Sequence, residues 1–213
     1  MLVSTRQGAV NSSTVAINEL RAAVTVCPDQ LRNELRHLPR GELVKRCARL
    51  RHRTDIEPGT ILALNMLAKR IQQLQAEHDQ LKTAIHQLVE ALAPQLLQQH
   101  GIGPITAAHV YIAWSHKGRI HSEAAFANLA GTAPIPASSG NTTRHRINHA
   151  GDRKLNSALH MIITTRARTD DATKAYITRR THQGLTPKDA KRCLKRYLAR
   201  SLYRLLENTT TPT

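Results

Sequence analysis

The sequence predicts an all-α fold in which a long coiled-coil-like helix leads into a compact helical domain with a helix-hairpin-helix-like element. Three observations carry that expectation. Aromatic residues make up only 3% of the 213 residues while hydrophobic residues reach 40%, so the core must be assembled from Leu, Ile, Val and Ala, side chains suited to helix packing. An apolar stripe with alternating three- and four-residue spacing runs over residues 64–92, the mark of a long amphipathic helix. Prolines fall between the periodic stretches, at Pro28, Pro39, Pro58 and Pro94, where helices start or stop. The expected divisions are a helical region over 1–55, the long helix over 56–99, a compact domain over 100–207 and a disordered tail over 208–213.

In chain order, residues 5–26 carry a loose helical stripe of Val10, Val15, Ile17, Leu20 and Val24, interrupted by Pro28. Short helices are expected over 29–38 and 41–50, with Pro39 between them. Glu57, Pro58 and Gly59 mark a boundary. Beyond it, Leu64, Leu67, Ile71, Leu74, His78, Leu81, Ile85, Leu88 and Leu92 form an a/d pattern in which only His78 is polar. Such a seam either pairs two copies of the chain or packs on its own domain; a homo-oligomer through residues 60–93 is the expectation, with His78 setting register.

Gly101 and Gly103 bracket Ile102 ahead of a helix starting near Pro104, a favoured first-turn residue. This segment is similar to the hairpin of helix-hairpin-helix motifs, whose free backbone N–H groups hold phosphate and position DNA without reading its sequence. Lys117 and Arg119 extend the basic surface. Residues 131–155 then read GTAPIPASSGNTTRHRINHAGDRKL. Pro134 and Pro136 hold the chain extended and Gly140 permits a tight turn, so Ser138 and Ser139 sit on a defined loop. Arg144, His145, Arg146, His149, Arg153 and Lys154 follow, and guanidinium groups bind phosphate oxygens through paired donors. A serine hydroxyl is a weak nucleophile, and cations at the phosphoryl oxygens are what attack on a phosphodiester requires.

Asp152 is placed to cap a helix running to about residue 168, with Leu155, Leu159, Ile162 and Ile163 inward and Arg153, Lys154, Arg166 and Arg168 outward. Asp170-Asp171 reads as a helix terminus or loop. Thr186-Pro187-Lys188-Asp189 reads as the first positions of a final helix. Its expected buried stripe is Ala190, Leu194, Tyr197, Ser201 and Leu205, leaving Lys191, Arg192, Lys195, Arg196, Arg200 and Arg204 on other faces.

The formal charge of +16 points to a polyanionic partner, nucleic acid being the usual one. It is uneven: residues 1–100 hold 13 Lys and Arg against 9 acids, and residues 101–213 hold 18 against 6, so the second half is the expected nucleic-acid surface. Cys27, Cys47 and Cys193 stand apart with no CxxC pair, which supports neither a disulfide framework nor a cysteine zinc site. His145 and His149 share i, i+4 spacing but lack a third ligand, so no metal site is expected. No signal-peptide pattern or membrane-length apolar run is present, and the expected location is the bacterial cytoplasm, in association with the nucleoid, with no membrane partner.

Four ordered segments resemble the C-terminal domain of the IS110/IS116 (and IS902) family of bacterial insertion-sequence transposases: 101–104 (GIGP), 129–134 (LAGTAP), Ser139-Gly140, and 144–155 (RHRINHAGDRKL). The resemblance covers about half the chain. It implies site-specific DNA recombination in which Ser139, which directly precedes the glycine, or its neighbour Ser138, forms a transient phosphoserine link to DNA. Gly101, Gly103, Lys117, Arg119, Arg144, Arg146, Arg153 and Lys154 become the nucleic-acid-binding set. It also implies a structured guide RNA as partner, and an upstream RuvC-like domain whose acidic residues hold Mg. That domain is expected to be missing here, leaving no cofactor in this chain and an enzyme that is incomplete alone. At 148–150 the sequence has Asn-His-Ala where relatives carry a more basic triplet. The alternative is a non-catalytic, dimerising nucleic-acid-binding protein derived from a transposase.

Overall fold

The computed structural model describes residues 1–137, 145–146 and 148–208. Its described residues form helices and one two-residue strand pair, as the all-α expectation requires. The chain divides into two compact units, Met1–Ala84 and Ile85–Thr213.

The first unit contains α1 (Leu2–Thr25), α2 (Asp29–Leu35), α3 (Arg40–Ala48) and most of α4 (Pro58–Leu92). Pro28 and Pro39 occupy the N-cap positions of α2 and α3, because the fixed proline φ suits a helix start and the missing N–H costs nothing there. Leu20, Leu31, Leu35, Cys47 and Leu64 are fully buried, with Ala68 and Ile71 beside them and Leu67 and Leu74 partly buried against the same core. The N-terminal half of the heptad seam is therefore covered by the helices of its own unit. Burial, with Cys27 nearby, pushes the Cys47 thiol up to about 11, which makes it an inert core side chain.

Beyond His78, whose ring meets the Asp79 carboxylate at 3.0 Å, the buried positions of α4 become Ile85 and Val89, while Leu88 and Leu92 are 50% and 46% exposed. A straight α-helix drifts about 20° per heptad against a strict seven-residue repeat. The heptad row stays buried or partly buried as far as Ile85, and beyond it the buried row moves on to Val89 at four-residue spacing.

The second unit adds α5 (Pro94–Leu97), α6 (Pro104–Trp114), α7 (Glu123–Leu129), β1 (Ile135–Pro136), β2 (His145–Arg146), α8 (Arg153–Thr169), α9 (Asp171–His182) and α10 (Pro187–Asn208). Helix α8 packs on α6, α9 and α10, and α10 also covers α7. Phe126, Leu155, Leu159, Ile162, Ile163, Leu202 and Leu206 fill the centre. The α8 start is as expected: the Asp152 carboxylate accepts the N–H groups of Lys154 and Leu155 at 2.8 and 2.9 Å. Asp170 ends α8 and caps α9, accepting the Thr173 N–H at 2.9 Å. At the α10 start the Asp189 N–H donates to the Thr186 hydroxyl, which donates back to the Asp189 carboxylate.

The buried face of α10 corrects the expected stripe. Ala190 is buried, but the row continues through Leu198, Ala199, Leu202 and Leu206, leaving Ser201 exposed and Tyr197 57% exposed. Two apolar rows overlap on this helix. The one that seats three leucines at four-residue spacing is buried, which turns Tyr197 outward. No helix among the described residues is long and apolar enough to cross a membrane.

Candidate nucleic-acid interface

The described residues on either side of the serines are tied to each other by strand pairing and hydrogen bonds. Strands β1 and β2 pair antiparallel, Ile135 opposite Arg146 and Pro136 opposite His145. Below them, the Asp152 N–H donates to Leu129 O and the Asn156 side-chain amide donates to Ala130 O, both at 2.6 Å. The Asn148 amide donates to Asn128 Oδ1 at 3.0 Å. The two chain ends touch at a pair of glycines. Gly131 has φ +64°, and a Cβ added to Gly151 would overlap the backbone N and Cα of Gly131, so neither position accommodates a side chain.

These tied segments form one wall of a cleft of about 750 Å³. Pro134, Arg146, His149 and Arg153 line it on that side, Asn156 and His160 of α8 form its floor, and the first turns of α10 close it with Lys188, Lys191, Arg192, Lys195, Arg196 and Tyr197. Seven Lys and Arg side chains meet a single carboxylate, Asp189, among the described lining residues. Asp189 is already paired with Arg192 at 2.5 Å.

The positive charges strain one another. Burial, and then the Arg192 guanidinium, push the half-buried Lys195 ammonium below the usual lysine range; it donates to Asn156 Oδ1 at 2.9 Å. Burial, with the ammonium groups of Lys195 and Lys191, also pushes the His160 imidazole down. Among the described lining residues, seven cations against one carboxylate leave the cleft with a surplus of positive charge.

The structure sorts the sequence-derived candidates. Arg146 and Arg153 line the cleft. Lys154 is exposed at the start of α8 but is not among the lining residues. Ser138, Ser139 and Arg144 lie outside the described residues. Gly101, with φ +76°, sits with Arg166 Cγ 3.1 Å from where a Cβ would be. The Arg166 Nε donates to His100 O at 2.8 Å. The Gly-Ile-Gly turn is thus docked on the C-terminal half of α8, and Arg166, expected outward, holds it there. At Gly103 the backbone N–H donates to the Thr106 hydroxyl at 3.0 Å, and Pro104 has none, which removes two donors from that helix start. Lys117 is exposed, and Arg119 donates to Ala113 O at 2.8 Å, closing the end of α6. Arg200 and Arg204 of α10 pair with Glu123, away from the cleft.

Sequence reasoning missed Asn156, His160 and Lys195 as a connected group. Their i, i+4 spacing on α8 was visible, but the partner on α10 is far along the chain. It also missed Glu207, which accepts from Trp114 Nε1 at 2.7 Å and from the Gly118 N–H at 3.3 Å. No group of three or more His, Cys, Asp or Glu side chains among the described residues is placed to hold a metal ion.

Residues 93–178 match the family model described as transposase, IS116/IS110/IS902 family. That match includes the serine segment, α6 to α8 and most of α9. No curated protein matches the sequence.

Proposed function

We propose, proceeding from the match of residues 93–178 to the family model described as transposase, IS116/IS110/IS902 family, that this chain is the DNA-binding, serine-bearing part of an insertion-sequence recombinase. The observation that carries the reading is the cation-lined cleft opening beside the two ends of the serine segment.

In this reading the cleft cations hold the phosphodiester backbone. The Ser139 Oγ gives up its proton and bonds to phosphorus, while the bond from phosphorus to the leaving deoxyribose oxygen breaks and that oxygen takes a proton. Attack by a deoxyribose hydroxyl of the recipient strand reverses the exchange and releases the serine, so no oxidant or external energy source is needed. The guanidinium and ammonium groups stabilise charge on the non-bridging oxygens. In this reading any Mg that serves strand cleavage belongs to a RuvC-like domain. A guide RNA is a second nucleic-acid partner in this reading, and the nucleoid is the place of action. Self-association through 60–93 is left to the outer face of α4, where Leu88 and Leu92 are exposed.

The test is an adduct assay with labelled element-end DNA, the full chain, and a RuvC-like domain supplied or withheld. A denaturant-resistant protein–DNA species that disappears in Ser139→Ala supports the nucleophile; persistence in Ser139→Ala with loss in Ser138→Ala transfers the role. No adduct under any condition, with salt-sensitive binding intact, leaves the non-catalytic binding protein as the function.

A further inference from the structure

We infer that the cleft takes an unpaired DNA strand, with Tyr197 as the platform on which one of its bases stacks; this rests on the reading of the cleft as a DNA site. The chain has six aromatic residues. Trp114 and Phe126 are buried, whereas Tyr197 is 57% exposed on the basic wall of the cleft. Leaving more than half of a large ring in water forfeits burial that other aromatic side chains of the unit gain.

The ring is also held in place. Tyr176 of α9 meets it edge-on, with centroids 6.3 Å apart and planes at 81°, and the Arg179 guanidinium lies 5.4 Å from the Tyr176 centroid. An aromatic face with its orientation fixed by neighbours loses little entropy when something stacks on it. Lys195 and Arg196 directly precede Tyr197, and Lys191 is further toward the start of the same helix, all three lining the cleft. A cationic track beside an exposed ring is the arrangement that binds single strands: phosphates to the cations, a base face to the ring.

Size points the same way. A cleft of about 750 Å³ falls within the roughly 300–1,000 Å³ of sites that enclose a small ligand. It admits a nucleotide out of its stack, whereas a duplex keeps its base faces covered and offers only phosphates. Charge alone attracts both forms, so Tyr197 is the residue that separates them.

The experiment compares the full chain with Tyr197→Ala, Tyr197→Leu and Tyr197→Phe on a short single-stranded DNA containing 2-aminopurine and on its duplex. Tyr197→Ala and Tyr197→Leu are expected to weaken single-strand binding about 5- to 100-fold and to abolish quenching of the 2-aminopurine. Tyr197→Phe, which keeps the ring face, is expected to retain both, and duplex affinity is expected to stay within about twofold in all three. Unchanged single-strand affinity in Tyr197→Ala, or equal loss on both DNA forms, overturns the stacking role. If Arg153→Ala, Lys191→Ala and Arg196→Ala together leave every DNA affinity unchanged, the cleft is not the DNA site. That outcome removes the underlying reading, while a failure confined to Tyr197 leaves it standing.

Discussion

Gly151→Ala tests whether the glycine crossing holds the cleft wall. The added methyl would overlap backbone atoms of Gly131 and lie 2.9 Å from Ala130 C, and no flexible side chain is there to give way. Restoring ordinary contact moves one chain end by about 1 Å, enough to break hydrogen bonds that begin at 2.6 to 3.0 Å. Three ties are affected: Asp152 to Leu129, Asn156 to Ala130, and Asn148 to Asn128. At a net value of about 1 kcal/mol each, the loss is about 3 kcal/mol, within the range of overpacked sites. For a unit of this size that lowers Tm by about 10 °C. Differential scanning calorimetry of the full chain reads it, with the shift confined to the transition of the second unit, and DNA affinity falls with it. A Tm within about 2 °C of wild type and unaltered DNA binding would refute the argument that the backbone crossing is closed to a side chain.

Three further outcomes follow from particular residues. Gly8 lies inside α1 with open space where a Cβ would go, so Gly8→Ala is expected to stabilise the first unit by about 0.5–1 kcal/mol, seen as a higher urea midpoint. Glu207→Ala leaves the indole N–H of Trp114 buried without its acceptor, at a cost of about 1–3 kcal/mol; Trp114 is the only tryptophan, so its emission reports the change directly. The depressed His160 imidazole means that the unfolded chain binds its proton first as pH falls below 6.5. Stability is then fully present above that pH and declines as pH falls toward the folded value. Phosphate in the cleft reverses the penalty, so DNA affinity is expected to rise on acidification below 6.5, and the rise attributable to this residue is absent in His160→Gln, measured by fluorescence anisotropy against pH.

Local signals in the sequence mapped well onto local structure. Asp152 and the Thr186 to Asp189 run announce helix starts because capping is chemistry between residues two or three apart. The inward face of α8 was legible because Leu155, Leu159, Ile162 and Ile163 admit only one stripe. Where two stripes competed, pattern alone could not choose. On α10 the leucine row displaced the one containing Tyr197, and on α4 the seam read as a pairing surface was filled at Leu64 and Ile71 by the chain's own helices. The cleft was legible only as a surplus of charge. Which cations share it is decided by contacts such as Lys195 to Asn156, or by ion pairs such as Arg200 to Glu123 that withdraw a cation from it, and these join residues 39 and 77 positions apart.

If the cleft holds the DNA backbone as proposed, its cations set the salt dependence of DNA affinity. Arg153, Lys191 and Arg196 lie on opposite walls of the cleft with no acidic side-chain partner among the described residues. Replacing all three by alanine is expected to lower the slope of log affinity against log salt by about 2.7. Replacing Arg21, Lys69 and Lys82, three exposed cations of the first unit, should leave the slope unchanged. Equal slopes for wild type and the cleft variant, or an equal loss in the first-unit variant, would contradict the account.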